Sequence, residues 1–293
     1  MNSYGELMTR KLKIAGLAER SVEMYFRAAR LLFESYPGVS PSQMTEDHVC
    51  DWFLGLKEKE YASGTLKIMK AGAKFFFTQV IPQPKWTIFD DFKVGKRNDM
   101  RPCLSVEEAW RALNSIRTPH NRAALTIIYL CGLRISECVN LQIGDIHGSD
   151  GRIHVHRGKG AVSRYIPLPE KGLQMLRNYY KTHRHETLIF PAVGRGAKKA
   201  SPNLATKPMT ITSIQSVFKK VLKEKEINKR RVSVHSLRHS YASHLIELGV
   251  PLEHVRIFMG HSSLVTTAKY IHVTKSGLDE TQGKINKLAD GLS

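Results

Sequence analysis

Arg134, Lys159, His235, Arg238, His261 and Tyr270 are side chains whose types could together move a phosphoryl group. A phosphodiester is anionic. Its displacement concentrates charge on the non-bridging oxygens, where the planar fork of an arginine matches two oxygens at once. Arg134, in Gly132-Leu133-Arg134-Ile135-Ser136-Glu137, and Arg238, in His235-Ser236-Leu237-Arg238-His239, could clamp such a group. Attack then requires a hydroxyl, a proton acceptor and a proton donor for the departing oxygen. Tyr270, His235 or His261, and Lys159 supply them. Cationic side chains can replace the metal ions that stabilise phosphoryl transfer elsewhere.

Taken singly, each cluster has an ordinary explanation. Arg134 and Glu137, three apart, would share a helix face as a plain ion pair. Lys159, between Gly158 and Gly160, is a residue common at solvated turns. His235 and His239 have the i, i+4 spacing that zinc uses. No HExxH accompanies them, no carboxylate lies nearby before Glu247, and Arg238 between them would repel a cation, so no metal is expected there.

The charge supports an anionic partner. The 293 residues carry 45 Lys+Arg against 26 Asp+Glu, a formal net charge of +19. Residues 1–98 hold 15 basic and 11 acidic side chains, whereas residues 99–293 hold 30 and 15. Arg195 to Arg231 alone contains 11 basic and 2 acidic residues, with a cationic helical face from Lys219 onward. Phosphate backbones are the natural complement, since each neutralised phosphate releases counterions. A basic helix on an anionic membrane is the rival, but this segment lacks the Trp/Phe/Leu face that insertion uses. Apolar runs such as Ala123 to Leu130 are too short to span a bilayer, and Met1 to Leu17 has no export signal, so no membrane association and a cytoplasmic location are expected. Cys50, Cys103, Cys131 and Cys138 form no CxxC pair and read as free thiols.

These residues need elements to place them. Apolar positions at spacings of three and four describe a helix over Glu19 to Phe33. Thr45 is an N-cap for a helix over His48 to Leu56, and Ser63 or Thr65 opens a third, running to about Val80. The first part, residues 1–85, is therefore an all-helical unit. Residues 86–102 read as a basic interdomain linker, and 103–293 as the domain carrying the chemistry. There Ser105 and Glu108 form a capping box for a helix to about Ile116. Asn121 to Asn140 is a largely apolar helical stretch, broken at Gly132. Asp145 to Gly151 reads as turn, and Arg152–His156 and Ser163–Leu168 as a β-hairpin with Lys159 at its tip. The remainder is mostly helical, giving a mainly α fold with a small β-sheet.

The combination resembles the tyrosine recombinases, the phage integrase family. The resemblance covers nearly the whole chain, through Gly-Leu-Arg134-Ile-Ser-Glu137, the Gly-Lys159-Gly hairpin ending in Ile-Pro-Leu168, His235-Ser-Leu-Arg238-His239, and Gly260-His261 with Thr266-Thr267 before Tyr270. The N-terminal part is similar to the family's SAM-like core-binding domain, whose Ser/Thr-x-x-x-Tyr start matches Ser21 to Tyr25. The resemblance implies that Tyr270 attacks the scissile phosphate to give a 3′-phosphotyrosyl link and a free 5′-hydroxyl. Arg134 and Arg238 would bind the phosphate, Lys159 would protonate the leaving oxygen, His235 and His261 would assist, and Glu137 would support them. It also implies a two-domain C-shaped clamp on double-stranded DNA, a homotetramer on two recombination sites, no cofactor and no metal, with accessory proteins left open. The last helix, Leu278 to Leu288, would dock into a neighbouring protomer. Cys131 and Met259 depart from the commoner residues and should pack internally. Met1 lies too near the core-binding part for an arm-binding domain to precede it, which favours a simple recombinase over the large phage integrases with accessory sites; a mobile element is its expected setting. Two other readings share these features: a type IB topoisomerase, and a non-catalytic DNA-binding regulator using Val234 to Leu248 for recognition. The regulator gives no reason for five phosphate-directed side chains and a tyrosine.

Overall fold

A computed structural model describes residues 2–82, 86–95, 102–156, 163–194, 201–229, 231–261 and 267. The chain divides into two compact units, Met1–Asp99 and Met100–Ser293, each with its own core.

The described part of the first unit is helical: α1 (Asn2–Ile14), α2 (Glu19–Glu34), α3 (Glu46–Glu58), α4 (Ser63–Phe75) and the short α5 (Ile88–Asp91). Its core takes Met8 and Leu12 from α1, Val22, Ala29 and Leu32 from α2, and Val49, Trp52, Phe53 and Leu56 from α3. Helix α1 was not expected from the sequence, because its apolar stripe is narrow amid polar residues. Helices α2 and α4 approach closely at Gly72, where a Cβ would lie 2.7 Å from the Ala28 Cβ and 2.8 Å from the Tyr25 carbonyl oxygen. The segment expected to begin the linker instead belongs partly to this unit. Phe89 and Phe92 are buried, Phe92 stacks on Phe53 with centroids 4.1 Å apart, and Trp86 packs on Phe77. Aromatic burial overrides the helix-breaking composition there.

The second unit contains α6 (Val106–Asn114), α7 (Pro119–Cys131), α8 (Ile135–Val139), β1 (Ile146–His147), β2 (Arg152–Val155), β3 (Arg164–Pro167), α9 (Glu170–Tyr180), α10 (Ile211–Glu224), α11 (Val234–Glu247) and α12 (Leu252–Met259). The capping box at α6 forms: the Glu108 amide donates to Ser105 Oγ at 3.2 Å, and the Ser105 amide to Glu108 Oε2 at 2.7 Å. Helix α7 is buried on nearly all sides, as its continuous apolar run requires, and packs against α9, α10 and α11. The hairpin strands pair antiparallel, with Ile153 opposite Ile166, His154 opposite Tyr165 and Val155 opposite Arg164. The stretch expected as turn supplies β1, which pairs Ile146 with Ile153 and makes a three-stranded sheet. Two residues of strand are too few for alternation to reveal. Among the described residues no helix is long and apolar enough to cross a membrane. The expected final helix, Leu278 to Leu288, lies outside the described residues.

Candidate active site

Arg134 is placed by a break in the chain. Helix α7 ends at Gly132, whose φ of +60° is left-handed. A Cβ there would meet the Tyr241 ring at 2.3 Å, so both the conformation and the space demand glycine. Arg134 is therefore the N-cap of α8, rather than a residue one helical turn before Glu137. Its amide donates to Glu137 Oε2 at 2.8 Å and its guanidinium to Oε1 at 2.8 Å. The Arg134 side chain keeps 37% of its surface exposed.

Glu137 gathers two further arginines. Arg164 of β3 donates through both terminal nitrogens, at 3.0 Å to Oε1 and 2.9 Å to Oε2, while its Nε reaches the Phe258 carbonyl at 2.8 Å. Arg238 of α11 lies 3.7 Å from Oε2 and donates to the carbonyls of Gly132 and Met259. One carboxylate thus stands among three guanidinium groups, a formal +2 in one place. Burial alone would push the Glu137 carboxyl up, but the hydrogen bonds and charge of Arg164, and then those of Arg134, outweigh it and hold it at about 2. Arg238 is only 2% exposed. Its carbonyl partners are the C-terminal ends of α7 and α12, where helix dipoles favour a cation.

Arg164 did not emerge as a functional residue from the sequence. A signal was present: it occupies the core-facing register of β3 with Ile166, where an apolar residue belongs. An arginine at such a position needs a buried partner.

The histidines divide into different environments. His235 is exposed on the first turn of α11, and its ring meets that of buried His239 edge-on, with centroids 4.7 Å apart. His261 follows Gly260, whose φ of +57° ends α12. The His261 Nδ1 lies 2.9 Å from the hydroxyl of buried Thr267. His244 bridges the Tyr129 hydroxyl and the Leu104 carbonyl, a packing role. Cys131 and Met259 are fully buried, as their apolar surroundings require. The structure thus gathers Arg134, Glu137 and Arg238, and the Gly132 and Met259 carbonyls on Arg238 tie them to the ends of α7 and α12, the latter one residue from Gly260-His261. Lys159 and Tyr270 lie outside the described residues.

Arginines from a helix cap, a strand and a second helix thus converge on one carboxylate, with Arg134 alone of the three left substantially exposed. Comparison narrows the class. The model of the phage integrase family matches residues 104–276, more than half of the chain, and that of the phage integrase N-terminal SAM-like domain matches residues 6–86. A putative integrase/recombinase, y4qK of Sinorhizobium fredii, is 27% identical over 290 residues, covering 98% of this chain and 90% of that protein. Tyrosine recombinase XerC of Halalkalibacterium halodurans is 31% identical over 232 residues, 76% of each chain. Among solved structures, a dimer of lambda integrase residues 75–356 bound to a COC′ core site shares the fold with a TM-score of 0.74, at 16% identity over 93% of this chain and 95% of that one. The chain belongs to the phage integrase family, and is a tyrosine site-specific recombinase.

Proposed function

We propose that the protein cleaves and rejoins double-stranded DNA through Tyr270. The phenolic oxygen bonds to phosphorus as the bond to the 5′-oxygen breaks, leaving a 3′-phosphotyrosyl link and a 5′-hydroxyl. The phenolic proton passes to His235 or His261, and Lys159 protonates the departing 5′-oxygen. Attack by the 5′-hydroxyl of another strand reverses these transfers and conserves the bond energy, so neither nucleotide nor metal enters the balance. The observation that carries this reading is the set of three arginines around Glu137: their +2 excess complements the charge that builds on the non-bridging oxygens. Arg134, the exposed member, binds the phosphate directly. Arg238, held inside, first acts through its field and makes contact when a phosphate oxygen replaces one of its carbonyl partners. Glu137 positions both.

The remaining steps follow from the same reading. The helical N-terminal unit is the second DNA-contacting element, residues 86–102 join it to the catalytic domain, and four protomers assemble on two sites in the cytoplasm. The recombinase serves a mobile element. The test is a denaturing gel of protein incubated with nicked suicide duplexes drawn from its source genome, with EDTA present, comparing wild type with Tyr270→Phe. A nick lets the 5′-hydroxyl fragment diffuse away and traps the adduct. A protein–DNA band with wild type only is expected. A Tyr270→Phe chain that retains the band assigns the nucleophile elsewhere, and binding without any band means either that an accessory partner is required or that the regulator reading holds.

A further inference from the structure

We propose that Asp145, His154 and His156 form a site for a divalent transition metal ion of the Zn2+ class, on the cavity that Arg134 and Glu137 also line. Among the described residues they are the one group of three whose ligand atoms all lie within 4.8 Å of one another. Sequence spacing hides it, because Asp145 ends a 3-10 turn at Ile143–Asp145 while the two histidines lie beyond a reverse turn.

Three features make this a prepared set. His154 and His156 alternate along the β2 direction, so both project to the face opposite buried Ile153 and Val155. The His154 ring is stacked on Tyr165 of β3, with centroids 4.6 Å apart and planes 16° apart, which fixes its orientation. Asp145 is 6% exposed, and the Gln142 amide donates to its Oδ2 at 2.8 Å, leaving Oδ1 at 2.8 Å from His156 Nε2. A backbone donor on one carboxylate oxygen is the kind of outer support that orients a ligand for metal.

Geometry and charge permit the ion. Zinc bonds of roughly 2.0–2.1 Å at tetrahedral angles put ligand atoms about 3.3 Å apart, so side-chain adjustments of no more than about 1.5 Å bring three atoms that lie within 4.8 Å of one another to that spacing. The three side chains line a cavity of about 350 Å³ together with Arg134, Ser136, Glu137 and Asn140, which leaves room for a water or further ligand. Of the charged groups lining that cavity, Arg134 is outnumbered by the Glu137 and Asp145 carboxylates, and Asp145 is not shared with the other arginines. Two imidazoles and one carboxylate suit zinc, nickel or copper better than magnesium or calcium. The bound ion ties His156, next to the end of β2, to the turn at Asp145. The binding itself does not depend on the recombinase reading.

The test uses the tag-free full chain in metal-depleted buffer, titrated calorimetrically with ZnCl2, with CoCl2 as a spectroscopic probe. Wild type should take up one equivalent and show the visible absorption of a four- or five-coordinate Co2+ site. His156→Ala and His154→Asn should each weaken uptake at least about tenfold, and the double variant should abolish the Co2+ band. Both substituted side chains lie on the solvent face of the sheet, and circular dichroism without metal reports whether the fold is kept. A properly folded double variant that still binds one equivalent, or wild type that binds none, overturns the proposal.

Discussion

Replacing Glu137 with glutamine tests the physical core of the site, because it removes the one negative charge among three guanidinium groups while keeping the shape. The Glu137 carboxyl is lowered from the ordinary 4.5 to about 2. At roughly 1.4 kcal/mol per pKa unit, the network contributes on the order of 3 kcal/mol to the folded state. The side chain is 10% exposed, so solvent screening takes little from this figure. Its folded value lies below its unfolded value, so this stability is fully present above about pH 4.5 and is lost as pH falls toward 2. Glu137→Gln should therefore cost about 3 kcal/mol at pH 7, which lowers the melting temperature of a unit of this size by roughly 6–12 °C. The gap between variant and wild type should close progressively between pH 4.5 and 2 in calorimetric scans. Adding Arg164→Met should cost less in the variant than in wild type, because Arg164 has then lost the partner that justified its burial. Equal melting losses at pH 7 and pH 2.5, or a loss under about 0.5 kcal/mol, would refute the claim that Glu137 is ionised and holds the arginines.

One further substitution and one labelling experiment probe the packing. Gly132→Ala combines an unfavourable left-handed φ with a Cβ 2.3 Å from the Tyr241 ring, so urea denaturation should report a loss of about 2–4 kcal/mol; a loss under about 1 kcal/mol contradicts the close packing inferred there. Burial pushes the Cys131 thiol up to about 12 and the Cys138 thiol well above its ordinary value. N-ethylmaleimide should label Cys50 and Cys103 in the native chain and reach Cys131 and Cys138 only after unfolding, as peptide mass spectrometry would show. Native labelling of Cys131 would place it nearer solvent than the core of α7.

The family was legible in the sequence because the Gly-Leu-Arg134, His235-Ser-Leu-Arg238 and Gly260-His261 segments have few uses in combination. The Ser105 capping box and the hairpin strands were equally plain, since both rest on contacts between residues close in sequence. What stayed hidden depends on contacts across the chain. Arg164 lies 27 residues from Glu137, and only the fold shows that the arginine in a core-facing strand position answers the carboxylate in a helix cap. The same holds for Trp86, Phe89 and Phe92: prolines and charges around them signal a linker, while their value comes from Phe53 and Phe77, which local pattern cannot bring near.

Gly132 shows how one backbone constraint organises the site. Its left-handed turn ends α7, makes Arg134 a cap with its amide and guanidinium both on Glu137, and leaves a carbonyl aimed at Arg238. An uninterrupted helix from Asn121 to Asn140 would instead keep that carbonyl within its own ladder and put Arg134 on the helix surface. The break at residue 132 therefore organises the arginine cluster, and Glu137, the carboxylate it orients, is what allows three arginines to converge without repelling one another apart.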